Sequence, residues 1–140
     1  MIDSLVELHP SLGDSKIDYD VILNPNGSIP RVILDEQPVQ EGRTRKDFAI
    51  KKSNNENVGN VALSKDGDTR VYITDIFIDE ERRKQGYAKS TYIELLKYLK
   101  DAKLESGFIN KPTRGIWEWL VEKGVAKHVK NEGLGQYEVV

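Results

Sequence analysis

The chain contains no cysteine. That excludes disulfides, zinc–thiolate sites and a cysteine nucleophile, and it fits a reducing cytoplasm, the expected location. Histidine is nearly as scarce. His9 and His128 stand alone, with no partners at ligand spacing, so no metal site is expected. No apolar run approaches the ~20 residues needed to span a membrane. The first residues, Met-Ile-Asp-Ser-Leu-Val-Glu-Leu, lack the basic start and long apolar run of a secretion signal, so none is expected. Positive charge is not in excess either. The 21 basic and 23 acidic side chains give a net charge of −2, which argues against bulk nucleic-acid binding. Neither Gly-x-x-x-x-Gly-Lys-Ser/Thr nor Gly-x-Ser-x-Gly occurs, so P-loop and nucleophile-elbow chemistry are not indicated.

What remains suits one globular domain over residues 1–140, with 38% hydrophobic and 31% charged residues. Ser4, Leu5 and their neighbours suit a turn of helix, ended by His9-Pro10. Residues 17–23 read as a strand, 24–28 (Asn-Pro-Asn-Gly-Ser) as a turn, and 31–34 as a second strand completing a hairpin. Residues 35–46 read as a polar loop. Residues 47–52 and 57–64 read as strands joined by a polar turn, and Asp66-Gly67 marks a further hairpin into a strand at 71–78. There the period changes. Ala88, Tyr92, Leu95, Leu96 and Leu99 fall on one helical face. A short strand at 106–110 follows, parallel to 71–78 because a helix crosses between them. Thr113 is read as the N-cap of a second helix whose apolar face is Ile116, Leu120 and Val121, and residues 126–140 as a last hairpin. The expected class is α+β with a mixed sheet: an antiparallel meander, then strand, helix, strand, helix and strands.

Between the strand at 71–78 and its helix lies Arg83-Lys84-Gln85-Gly86-Tyr87-Ala88. A turn there brings backbone N–H groups, the positive end of the helix dipole and two cations to one spot, which favours a phosphate. Gly86 has no Cβ, so an anion can approach its backbone. The bland reading is an ordinary strand–helix turn with a solvated basic face.

Arg83-x-x-Gly86-x-Ala88 in this setting resembles motif A of GNAT-type N-acetyltransferases. Ile76-Phe77-Ile78 is similar to the end of that family's fourth strand, and residues 119–125 resemble the end of its motif B helix. The likeness covers residues 47–140. Residues 1–46 diverge: a hairpin and loop stand where the family has two helices that shape the acceptor site. The resemblance implies a splayed central sheet and acetyl-CoA as donor to an amine. It assigns cofactor contacts to Ile76, Phe77, Ile78, Arg83, Lys84, Gln85, Gly86, Tyr87, Ala88 and Lys89. The reaction also needs a base, a proton for the thiolate and a cradle for the oxyanion. Asp75 is the candidate base, with Tyr72 and Thr74 on the opposite strand face. Tyr87, Tyr92, Tyr137 or water are candidate acids, because the family's tyrosine aligns with Leu120. Of these, Tyr92 reads as helix core. Asn110, at the end of the second parallel strand, is a candidate site residue. Two other readings stay open: a catalytically weak acyl-CoA-binding module, and a protein-interaction module anchored by exposed Trp117 and Trp119. The acceptor class and a homodimer are left open, and no membrane partner is expected.

Overall fold

The structure, a computed structural model, describes residues 17–38, 45–66, 70–99, 103–107 and 109–140. The expectations for residues 1–16, and for Gly67 in the hairpin turn, lie outside the described residues.

Alternating, β-branched-rich segments form the meander β1 (Ile33–Glu36), β2 (Arg45–Lys51), β3 (Asn57–Asp66) and β4 (Arg70–Ile78), each antiparallel to the next. A short 3-10 turn, Glu80–Arg82, leads to the helix Tyr87–Tyr98. A five-residue helix, α1 (Tyr19–Leu23), precedes the meander, so the longer one is α2. Then come β5 (Lys103–Glu105), α3 (Lys111–Glu122) and the hairpin β6 (Ala126–His128) with β7 (Tyr137–Val139). One mixed, seven-stranded sheet results, in the order β1-β2-β3-β4-β5-β7-β6. The α+β class read from the sequence is borne out.

The core lies between the sheet and the apolar faces of α2 and α3. Phe48, Ile50, Val61, Val71, Ile73 and Leu104 meet Tyr92, Leu95, Leu96, Trp117 and Leu120, all buried. Aromatic edges lock the helices together. Tyr92 meets Trp117 edge-on with centroids 5.6 Å apart, and Trp117 stacks on Tyr137 at 5.9 Å. Each such pair adds about 0.5–1.5 kcal/mol beyond its burial.

Three expectations are corrected. Residues 17–23 are not a strand. Ile17, Tyr19, Val21 and Leu23 alternate, but only Leu23 is buried. Asp18 caps the first turn by accepting from the Val21 N–H at 3.2 Å, and Lys97 of α2 bridges to Asp20 at 3.0 Å. The helix therefore packs on α2. The second strand of the expected hairpin runs Ile33–Glu36 and pairs with β2, not with 17–23, and Lys51–Asp35 and Lys46–Glu36 bridge the two strands. The strand expected at 106–110 lies earlier, at Lys103–Glu105. Ser106 turns away from β4 to β7: its N–H donates to the Tyr137 carbonyl, and its own carbonyl accepts from Gly135.

Two details of β4 set up the site. It pairs with β5 only through Arg70, Val71 and Tyr72, so its last residues leave their β5-facing edge unpaired. Opposite β3, Ala62 faces Asp75 and Leu63 faces Ile73, which leaves Thr74 bulged. The bulge re-phases the strand. Val71 and Ile73 are buried before it, and Ile78 after it. Thr74 and Asp75 are both exposed, and Thr74 donates to the Ser64 hydroxyl at 2.6 Å. Asp75 thus shares the sheet face of Tyr72 and Thr74, away from α2 and α3, and does not lie opposite them.

A Cβ on Gly107 would sit 2.0 Å from the Ile73 carbonyl oxygen. Gly107→Ala is expected to destabilise the protein by roughly 1–3 kcal/mol in thermal or urea unfolding. Gly115→Ala, in α3 with nothing within 4 Å, is expected to stabilise it by about 0.5–1 kcal/mol. Equal midpoints for the two variants would refute this account of the strand separation.

Candidate active site

Where β4 and β5 part, a cleft of about 630 Å³ opens. The end of β4 forms one wall, and the first turns of α2 and α3 form the others. Two helix N-termini therefore face one space, and each carries partial positive charge.

The loop from β4 to α2 owes its shape to local bonds. Asp79 N–H donates to the Val58 carbonyl at 2.8 Å, which holds the strand end. Arg83 Nε donates to the Ile78 carbonyl at 2.8 Å, and its guanidinium lies 5.3 Å from the centre of the Phe77 ring. Lys84 has φ +64° and Gly86 φ +93°, so the chain turns twice through left-handed conformations. For Lys84 this costs about 1–2 kcal/mol. Gly86 is the N-cap of α2, where Ser90 N–H donates to its carbonyl at 2.9 Å.

A prop behind the loop comes from the N-terminal region. A Cβ on Gly86 would lie 3.0 Å from Pro30 Cδ and 3.7 Å from Ile29 Cγ2. Asn24 holds that segment in place. Its amide donates to the Ile29 carbonyl at 3.0 Å and accepts from the Ile29 N–H at 2.9 Å. The sequence shows a turn at 24–28. Its contact with Gly86 is long-range and leaves no local signal.

Among the described residues, four cations line the cleft, Arg82, Arg83, Lys84 and Lys89, and no carboxylate does. Arg82 is neutralised by the Glu56 carboxylate. Lys89 Nζ lies 4.7 Å over the Trp119 ring. A chain of net charge −2 thus concentrates positive charge here.

On the α3 side the cap is Asn110, not Thr113. Asn110 Oδ1 accepts from the Thr113 N–H at 3.0 Å, and Thr113 Oγ1 accepts from the Asn110 N–H at 2.9 Å. This reciprocal box puts Pro112 in the first turn, where its missing N–H costs nothing. The sequence offered two capping residue types three apart, and only the backbone decides which one caps.

Of the residues singled out from the sequence, Ile76, Phe77, Ile78, Arg83, Lys84, Gly86, Tyr87, Ala88, Lys89 and Asn110 all line the cleft. Gln85 does not; it is exposed and donates to the Glu81 carbonyl at 3.1 Å. Asp75 does not line it either. Arg82, the first residue of the basic cluster 82–84 read as an anion site, lines it too, and Pro112, Thr113 and Ile116 line it without having been assigned to the site. Of these, Ile116 on an apolar helical stripe was the most readable. Tyr92 is core, and burial pushes its hydroxyl well above the ordinary tyrosine range. Tyr137 donates to the Glu118 carboxylate from a buried ring, and burial with that carboxylate raises its pKa as well. Leu120 is fully buried. Trp117 is 1% exposed, so the expectation of two exposed tryptophans fails. Among the described residues no helix is long and apolar enough to cross a membrane.

A family model described as "Acetyltransferase (GNAT) family" matches residues 19–120. No curated protein sequence matches the chain. Solved structures share the fold at low identity. An IAA acetyltransferase from Bacillus cereus is 12% identical, with TM-score 0.54, over 77% of this chain and 95% of its own. A GNAT family acetyltransferase from Elizabethkingia anophelis with acetyl-CoA bound is 14% identical, with TM-score 0.50, over 78% and 95%. A spermidine N-acetyltransferase from Vibrio cholerae, in complex with CoA and spermine, is 15% identical, with TM-score 0.52, over 71% and 64%.

Replacing Asn24 with alanine removes both bonds that hold Ile29. Asn24→Ala is expected to cost about 1–2 kcal/mol and to speed amide exchange at residues 86–88. Exchange there that matches the wild type would show that the prop does not brace the loop.

Proposed function

Since the chain belongs to the acetyltransferase (GNAT) family, we propose that it transfers an acetyl group from acetyl-CoA to an amine. The cleft carries this reading: among the described residues, four cations and no carboxylate line it, at two helix N-termini, in the gap between parallel strands. Its volume of about 630 Å³ suits an organic ligand, and its donors are those a diphosphate needs.

The donor supplies an activated acyl carbon. A nitrogen–carbon bond forms, the carbon–sulfur bond breaks, the amine loses a proton and the thiolate takes one. The chain supplies position and charge. Backbone N–H groups of residues 83–88, with Arg83 and Lys84, hold the diphosphate at the start of α2. Ile76, Phe77 and Ile78 offer the unpaired edge of β4 to the pantetheine arm, and one of their N–H groups meets the acyl oxygen. Tyr87, 7% exposed and on the cleft wall, is the candidate acid for the departing sulfur. Asp75, on the face of Tyr72 and Thr74 just past the bulge, is the candidate base, reaching an amine that arrives from that side. Asn110 spends its carbonyl oxygen on the α3 cap, which leaves its amide as a donor toward the cleft.

One observation favours a second reading, a coenzyme-binding module with weak turnover. Leu120, at the family's tyrosine position, is fully buried and cannot donate a proton.

Titration calorimetry with acetyl-CoA is expected to show saturable binding. At a hundredfold excess over Kd the ligand should stabilise the fold by about 2.7 kcal/mol. Gly86→Glu, which puts a carboxylate and a strained φ at the cradle, should abolish binding while circular dichroism reports a folded chain. No thermal shift at millimolar coenzyme would overturn the proposal. Binding without thiol release across an amine panel would select the second reading.

A further inference from the structure

We infer that the acceptor is a diamine whose far ammonium group is held by Gln136 and Glu105, under the loop that joins β6 to β7. This rests on the acyl-transfer reading above and names the acceptor class for it.

Two buried oxygens carry the argument. Gln136 is 7% exposed and Glu105 3%. Among the described residues, neither Gln136 Oε1 nor Glu105 Oε2 receives a hydrogen bond. The Gln136 amide is held in one orientation, because its Nε2 donates to the Gly133 carbonyl at 3.2 Å. Glu105 has a cation nearby: Arg70 Nε lies 3.2 Å from Oε2. That N–H is out of line for a hydrogen bond, and the arginine side chain is 55% exposed. The ion pair offsets charge and leaves the acceptor position open. A buried acceptor without a donor is costly, so a pair of them asks for a group that brings donors.

The fold places this pair beside the acceptor side of the site. Glu105 faces Tyr72 in the last rung between β4 and β5, and Glu138 on β7. Register partners share a face, so Glu105 lies on the face of Tyr72, Thr74 and Asp75. Gln136 alternates with the core residue Tyr137 and leaves on the side of Glu138. A Cβ on Gly135 would lie 2.8 Å from Glu105 Oε1 and 3.8 Å from the Tyr72 ring, so the end of the loop covers this rung. The cover is thin, since residues 129–134 are exposed. The next step past the rung holds Gly107, which puts no side chain in the way. Asp75, the candidate base, lies three residues beyond Tyr72, about 10 Å along the strand.

Both ends of this stretch therefore present oxygen acceptors. A primary ammonium brings three N–H donors and no acceptor, so it can serve Gln136 Oε1 and Glu105 Oε2 together. A hydroxyl brings one donor, and an alkyl end brings none and leaves both oxygens buried and unmet. The far ammonium keeps its charge and takes no part in the bond changes. The near amine loses its proton toward Asp75 and forms the nitrogen–carbon bond as the carbon–sulfur bond breaks.

The test is calorimetric titration of the full chain, saturated with coenzyme A, with 1,4-diaminobutane, 4-aminobutan-1-ol and butylamine. The diamine is expected to bind about tenfold tighter than butylamine, the effect of one charge-assisted contact, with the amino alcohol between them. Gln136→Leu, close in volume, should bring that preference below about threefold and leave coenzyme A affinity unchanged. Glu105→Gln should do the same; where circular dichroism shows that it does not fold, Gln136→Leu alone decides. Equal wild-type affinities for diamine and butylamine, or for diamine and amino alcohol, overturn this inference and leave the acyl-transfer reading standing. So does a preference that survives Gln136→Leu. A wild-type chain that does not bind coenzyme A overturns both.

Discussion

Strands β4 and β5 stay together for three residue pairs and then separate, and nearly every feature of the site follows from that parting. A longer ladder would satisfy the backbone of β4 on both edges and leave no cleft. Two local causes end it. Gly107 lets the β5 side approach the Ile73 carbonyl closely, and Ser106 then gives its own bonds to β7. The bulge at Thr74 re-aims the rest of β4. What lies beyond is an unpaired strand edge beside the starts of α2 and α3. Unpaired backbone at a strand edge costs stability unless a partner meets it.

The second constraint is electrostatic. The chain is slightly acidic, yet among the described residues its cleft is lined by cations and by no carboxylate. Acids elsewhere mostly neutralise framework cations: Asp47 with Arg45, Glu105 with Arg70, Glu138 with Lys103. The largely exposed Arg45–Asp47 pair contributes little to stability, whereas Glu105 and Glu138 are buried and need their cations. Within the cleft, Arg83, Lys84 and Lys89 have no carboxylate among the described residues and contribute positive field there.

Much of this was legible in order of length and periodicity. The strands of the meander and α2 announce themselves, because an alternating or 3.6-residue pattern over eight or more residues has few alternatives. The anion loop was legible from composition alone, since Arg, Lys and Gly before a helix have a direct electrostatic meaning. Residues 17–23 were not, because four alternating apolar residues suit a strand while one aspartate cap suits a helix, and tertiary contact with α2 decided the matter. The bulge has no compositional mark. It moved Asp75 to the face of Tyr72 and Thr74, which no two-residue alternation could foresee. Contacts such as Pro30 with Gly86, or Lys89 with Trp119, join residues far apart in the chain and leave no trace in local pattern.

The two tryptophans, two residues apart in α3, occupy opposite kinds of environment. Trp117 is sealed between Tyr92 and Tyr137, while Trp119 lies half-buried under a lysine at the mouth of the cleft. One indole therefore senses the integrity of the interior and the other the charge state of the entrance. The molecule carries its own pair of fluorophores, whose emission separates unfolding from occupancy without any added label.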